Sequence, residues 1–222
     1  TGDGQSVLSN PVRIVSNNTP THDRAPVLNT TDLTRNETDT NLTLYTFTRD
    51  PDADTLKNIT NWLVDENSIM VLNMPFEGIN GSKGNNAWDY SGHGLNGSVI
   101  GAPKIAWNAT GGFDGRGAYN FTAGGIQVND TFNLLNASVF TLSAWIKPAE
   151  TSTGGRIITK PSTSGALQRY SLRLVTNNIE FRSDGLSPVA CNGVVTISTQ
   201  TWYFVAATYN ITHSAVYVNG AL

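Results

Sequence analysis

The residues of this chain best suited to chemistry are carboxylates gathered on Asp- and Gly-rich turns. Asp50, Asp52 and Asp54 alternate along Asp50-Pro-Asp-Ala-Asp54. Alternating carboxylates on one loop can converge on a hard cation such as Ca²⁺, which takes about six to eight oxygens at roughly 2.3–2.6 Å. The glycine and the bidentate glutamate of an EF-hand loop are missing, so this is either a different calcium loop or a solvated acidic turn whose geometry Pro51 fixes. A second concentration of oxygen ligands lies at Asp89, Ser91 and Asn96 in the turn WDYSGHGLNG, with Glu77 upstream. Those oxygens could surround an ion, or Asp89 could accept the N–H groups of the Ser-Gly turn with no ion at all.

Other motifs are weighed by their surroundings. Gly92-His-Gly-Leu-Asn-Gly97 has the spacing of a dinucleotide fingerprint, but a strand-like Ser-Val-Ile follows it where a helix N-terminus would have to face the pyrophosphate. The nucleotide reading is rejected. His22, His93 and His213 have no visible nucleophile or metal partner. Trp88 and Tyr90 fall in a loop, where aromatic rings can stack on the apolar faces of sugars, whereas Trp145 and Trp202 sit in apolar strands and are expected in the core. Cys191 is the only cysteine, so no internal disulfide forms, and its apolar neighbours Val189, Ala190, Val194 and Val195 suggest a small buried hydrophobe.

Asn-x-Ser/Thr acceptor sequences occur twelve times, at Asn17, Asn29, Asn36, Asn41, Asn58, Asn80, Asn96, Asn108, Asn120, Asn129, Asn136 and Asn210. The frequencies of Asn, Ser and Thr would give roughly five by chance. Glycans are bulky and must face solvent, so this load points to a secreted or cell-surface protein. The net charge of −3 implies no basic face, which excludes nucleic acid as a partner. No apolar run approaches the roughly 18 residues that would span a bilayer. No signal-peptide pattern opens at Thr1, and a mature or excised segment is expected.

The positioning elements read as strands. Short runs rich in Val, Ile, Thr, Tyr and Phe are separated by Gly, Asn, Asp and Pro, with no convincing helical period. Strands are expected at Ser6–Val15, Leu42–Phe47, Ile69–Met74, Ala118–Phe121, Val139–Ile146, Tyr170–Val175, Tyr203–Tyr209 and Ala215–Val218, among others. Alternation is clean in Phe140-Thr-Leu-Ser-Ala-Trp-Ile. In Tyr170-Ser-Leu-Arg-Leu it sets Tyr170, Leu172 and Leu174 on one face and Ser171 and Arg173 on the other.

Three stretches together, WDYSGHGLNG with GGFDGRGAYNF, FTLSAWIKP, and TWYFVAATYNITHSAVYVNG, resemble the laminin-G-like jelly roll of the concanavalin A-like lectin/glucanase superfamily. Asp50-Pro-Asp-Ala-Asp-Thr-Leu followed by Trp62 is similar to immunoglobulin- or cadherin-like modules of large surface proteins. The expected fold is therefore all-β, a jelly-roll β-sandwich preceded by a smaller immunoglobulin-like module. Its parts would be a terminal strand and linker over residues 1–20, the immunoglobulin- or cadherin-like segment over 21–71, and the jelly roll over 72–222. The jelly-roll resemblance implies a structural Ca²⁺ held by Asp89 and neighbouring carbonyls. It also brings hydrolases into view, because some relatives cleave glycans with a compact Glu-x-Asp-x-Glu strand. Only the fragment Glu37-Thr-Asp39 is present, without its second glutamate, so no enzyme is expected.

Laminin-G-like chains usually continue past the Tyr-Val-Asn-Gly hairpin. Either a longer polypeptide closes the sheet, or a neighbouring chain lends its Ser6–Val15 strand and subunits self-associate by strand addition. The expected function is a non-catalytic, glycosylated extracellular module for adhesion or assembly at a cell surface, with glycans or surface proteins as partners. The competing readings are a structural subunit of an extracellular filament or surface layer, and the carbohydrate-binding module of a carbohydrate-active enzyme.

Overall fold

The structure, a computed structural model, describes residues 21–30, 42–51, 56, 58–77, 86–101, 105–130, 133–135, 137–151, 154–161, 168–183 and 190–222. It is all-β, with no helix among the described residues. The chain divides into two compact units, Thr1–Thr60 and Asn61–Leu222.

In the first unit, β1 (Thr21–His22) pairs with β4 (Thr48–Arg49), and β2 (Val27–Thr30) with β3 (Leu42–Tyr45), both antiparallel. Arg24 lies over the Phe47 ring, 3.4 Å from its centroid, a cation–π contact that ties the loop after β1 to the chain before β4. Asp50 is buried here, whereas Asp52 and Asp54 lie outside the described residues.

The second unit opens with β5 (Leu63–Val64) and β6 (Asn67–Ser68), joined through Asp65 and Glu66 at φ 48° and 66°. Two successive positive φ values give the turn whose twist matches a two-residue hairpin. β7 (Asn86–Ala87), β8 (Gly97–Ile100) and β11 (Gly125–Val128) form a three-stranded sheet with β8 central, and β9 (Ile105–Asn108) pairs with β10 (Ala118–Phe121). Two further sheets follow. One has the order β12 (Phe140–Ile146), β17 (Tyr203–Tyr209), β18 (Ser214–Val218). The other runs β13 (Gly155–Pro161), β14 (Gln168–Val175), β15 (Asn178–Arg182), β16 (Ala190–Asn192).

The inner faces of these last two sheets meet in one apolar cluster. Tyr170, Leu172 and Leu174 of β14 and Ile179 and Phe181 of β15 pack with Val205, Ala207 and Tyr209 of β17 and Val216 and Val218 of β18. The period of two puts Phe140, Leu142, Ala144 and Ile146 of β12 against the same cluster and turns Thr141, Ser143 and Trp145 outward. The expected place of Trp145 in the core is thereby corrected: it is 45% exposed, on the solvent side of its sheet. The face of Tyr170, Leu172 and Leu174 is buried as expected.

Leu172 is fully buried between the sheets. Leu172→Ala should destabilise the second unit by about 3–4 kcal/mol, a lost transfer energy plus a cavity, while Thr141→Ala on the exposed face should stay within about 0.5 kcal/mol. Urea unfolding of the two variants checks both values.

Candidate binding loop and aromatic surface

The turn at Asp89 is built around one carboxylate. Gly92 and Gly94 adopt φ 93° and 70°, a left-handed conformation that other residues rarely take, and this curls the chain back over Asp89. Oδ1 of Asp89 accepts the N–H of Asn73 and of Ser91, each at 2.9 Å. Oδ2 accepts the Ser91 hydroxyl at 2.7 Å and the Leu95 N–H at 3.0 Å. The Asp89 N–H in turn donates to Asn96 Oδ1 at 2.9 Å, and Leu95 is buried below the turn. Burial opposes ionisation of Asp89, but the bonds from Asn73, Ser91 and Leu95 outweigh it and hold the carboxyl below the ordinary range.

This geometry decides how the oxygen atoms are used. A carboxylate has about four lone-pair directions, and all four at Asp89 face protein donors. Asn96 Oδ1 is committed to the Asp89 N–H, and Ser91 Oγ also accepts the His93 N–H at 3.2 Å. Glu77 is buried and accepts the Tyr90 hydroxyl at 3.0 Å. Among the described residues no three Asp, Glu, His or Cys side chains gather as a metal site. These residues do not fit Ca²⁺ at the Asp89 carboxylate, because an ion would have to displace the hydrogen bonds that shape the loop. Gly92–Gly97 leads into strand β8, so no helix N-terminus stands ready for a phosphate.

The other described carboxylates with strong partners are structural as well. Asp130 accepts the N–H of Leu134 and Leu135 at 2.7 and 3.0 Å and pairs with Lys160 at 2.6 Å. Burial opposes its charge, and the Lys160 contact with the two N–H bonds holds its carboxyl below the ordinary range. Glu180 pairs with Arg173, directly opposite it on the neighbouring strand, at 2.5 Å.

The loop aromatics differ from one another. Trp88 is 38% exposed, whereas Tyr90 is half-buried with its hydroxyl on Glu77 and its N–H on the Asn73 carbonyl. Burial, and then the charge of Glu77, raise the Tyr119 phenol above its usual value. A larger aromatic surface lies elsewhere and was not foreseen. Trp145 stands opposite Phe204 in the β12–β17 register, their rings 5.4 Å apart, and Phe113 stacks on Trp145 at 3.5 Å and 10°. Trp202, half-buried rather than in the core cluster, meets Phe113 edge-on at 6.4 Å. Phe113, Trp145 and Phe204 are 53%, 45% and 36% exposed. The parity of Trp145 with Thr141 and Ser143 was the available sequence signal; Phe113, in a Gly-rich loop, had none.

Of the acceptor asparagines, Asn58, Asn96, Asn108, Asn120, Asn129 and Asn210 are exposed. The side chain of Asn29, and Asn17, Asn36, Asn41, Asn80 and Asn136 altogether, lie outside the described residues. The same is true of the Ser6–Val15 strand. Burial pushes the Cys191 thiol up, and it packs against the core cluster.

The family model described as the concanavalin A-like lectin/glucanases superfamily matches residues 120–222. That stretch carries both facing sheets, and its all-β sandwich is similar to the fold of that superfamily. The Asp89 turn and the immunoglobulin- or cadherin-like segment lie outside the match. No curated protein and no solved structure matches the chain. No described helix is long and apolar enough to cross a membrane.

Asp89→Asn replaces two acceptor directions by donors facing the Ser91 hydroxyl and the Leu95 N–H, or their Oδ1 counterparts. It should cost about 2–3 kcal/mol, equally in calcium and in chelator, by thermal unfolding. Because the folded-state values of Asp89 and Asp130 are depressed, their contributions are full above the unfolded value near ~3.9 and are lost as pH falls through it toward the folded values. Stability should therefore drop between about pH 5 and pH 2, less steeply in Asp89→Asn; a parallel fall would contradict the assignment.

Proposed function

We propose that this chain is a non-catalytic extracellular module that adheres to glycans or surface proteins. The observation that carries this reading is the solvent-facing aromatic surface in which Trp145 and Phe204 stand on paired strands and Phe113, from the loop between β9 and β10, stacks on Trp145. Monomeric proteins rarely leave contiguous apolar surface exposed without a use, and flat rings suit the C–H faces of sugars and the side chains of a partner alike. The exposed Trp88 adds a ring beside the preorganised Asp89 turn. Asp89, Asp130, Glu180 and Glu77 each have structural partners, and this reading gives them no part in binding. The superfamily includes lectins, which accords with glycan binding, and a sugar-binding module attached to a carbohydrate-active enzyme would use the same surface.

A second reading, the subunit of an extracellular filament or surface layer, is favoured by β12. Among the described residues this strand is paired only with β17, leaving one ladder edge to which a strand of another chain could add. Electron microscopy of native material separates the two, since periodic fibres would favour the filament.

Trp145→Ala and Trp88→Ala, assayed against a glycan array and against the native cell envelope, test the adhesive reading. Loss of a stacked aromatic contact is worth about 1–1.5 kcal/mol, so affinity through the sheet surface should fall about tenfold in Trp145→Ala. Unchanged binding in both variants would remove the aromatic surface as the site.

A further inference from the structure

The hairpin of β9 and β10 has two unlike faces. Residues opposite each other in an antiparallel ladder point the same way. In the register Ala118↔Asn108, Tyr119↔Trp107, Asn120↔Ala106 and Phe121↔Ile105, one face carries Ile105, Trp107, Tyr119 and Phe121. Three of its four residues are held down: Ile105 is buried, Trp107 donates its indole N–H to the Phe76 carbonyl at 2.9 Å, and Tyr119 meets the Phe76 ring edge-on at 5.2 Å, while Phe121 at the far end is exposed. The other face carries Ala106, Asn108, Ala118 and Asn120, of which Ala106 and both asparagines are exposed. Both asparagines begin acceptor sequences, Asn108-Ala-Thr110 and Asn120-Phe-Thr122, and the other two residues of that face are alanines.

At Asn108 the amide is also oriented. Its Oδ1 accepts the Thr110 N–H at 3.0 Å and lies 3.4 Å from the Thr110 hydroxyl, closing an Asx turn across the acceptor sequence. A Cβ at position 111 would stand 2.9 Å from Cβ, Cγ and Nδ2 of Asn108, so Gly111 leaves the room the amide occupies. Asn58 is the contrast. Its Nδ2 donates to Thr46 Oγ1 at 2.9 Å and its Oδ1 accepts from Thr48 Oγ1 at 3.0 Å, which clamps the amide at both ends.

We propose that the solvent face of the β9–β10 hairpin is a glycan-bearing face, with Asn108 and Asn120 as acceptors of N-linked oligosaccharide. This rests on the extracellular reading, because the acceptor sequences act only where the chain meets a transferase. In the transfer, Nδ2 bonds to the anomeric carbon of a sugar carried on a lipid-linked phosphate ester. The bond from that carbon to the phosphate oxygen breaks, the phosphate leaves with its electron pair, and the amide proton passes to a base of the transferase. The alanines leave the first sugars unobstructed, and the Asx turn holds the Asn108 oxygen against Thr110.

Glycopeptide mass spectrometry of the full-length protein from its native source tests this, with Asn108→Gln, Thr110→Ala, Thr110→Ser and Gly111→Ala variants expressed in that source. Sugar mass is expected on the Asn108 and Asn120 peptides and not on the Asn58 peptide. It should vanish at Asn108 in Asn108→Gln and Thr110→Ala, persist in Thr110→Ser, and fall in Gly111→Ala at Asn108 alone. Bare Asn108 and Asn120 peptides would overturn the proposal, whether or not other asparagines carry sugar. The readout does not involve ligand binding, so a bare hairpin beside Trp145-dependent adhesion removes the glycan face and leaves the binding module standing.

Discussion

With a single cysteine and no described helix, the protein depends on the interleaving of two antiparallel sheets across one apolar layer. The layer is made by parity: Leu172 and Leu174 on β14, Val205, Ala207 and Tyr209 on β17, Val216 and Val218 on β18 all fall at alternate positions. A slip of one residue in any of these ladders would carry its whole apolar set into water, so burial fixes register as well as stability. The same constraint turns Trp145 and Phe204 outward, because they have the other parity on their strands. An exposed aromatic surface is thus a direct consequence of where tryptophan and phenylalanine fall in the alternation.

Polar residues that suggest chemistry serve mainly as fasteners. Asp89 accepts N–H groups from residues 73, 91 and 95 and joins chain segments that no ladder connects. Asp130 does the same for the Leu134–Leu135 turn, with Lys160 neutralising it from β13. A carboxylate satisfied by several N–H donors is stabilised as an anion and has little remaining capacity for a metal or for proton transfer. What distinguishes a ligand from a lock is therefore the number of donors already aimed at it, and that number depends on segments far apart in sequence.

That limit explains what could be read from the chain. The all-β class, the inward face of Tyr170, Leu172 and Leu174, and the strands at 118–121 and 203–209 follow from period-two patterning. Ile69–Met74, an apolar run expected to be a strand, is irregular. Its carbonyls and N–H groups are met from a distance: the Ile69 N–H by the Trp62 carbonyl, Asn73 O by the Tyr90 N–H, and Asn73 N–H by Asp89. Side chains of the Asp89 turn take the place of a ladder partner, and no local pattern announces such a substitution. The candidate loop was visible in Asp-x-Ser-Gly-x-Gly, but its use as a lock required the coordinates of residues 73 and 95.

The loop between β9 and β10 joins two surfaces that would otherwise be separate. It leaves the hairpin at Asn108, lays Phe113 on Trp145, and returns at Ala118, with the Gly112 N–H on the Arg116 carbonyl and the Gly115 N–H on the Gly112 carbonyl holding its curve. One strand end therefore presents an acceptor asparagine, and five residues later the same chain presents a ring to the aromatic surface. A hydrated glycan on Asn108 would stand at the root of that loop. There it would discourage indiscriminate apolar association of Phe113 and Trp145 while leaving the sheet face open to a ligand that fits it. The proposed adhesion through exposed rings would be workable only when something limits their contacts, and a glycan on Asn108, ten residues before the start of β10, would be placed to do so.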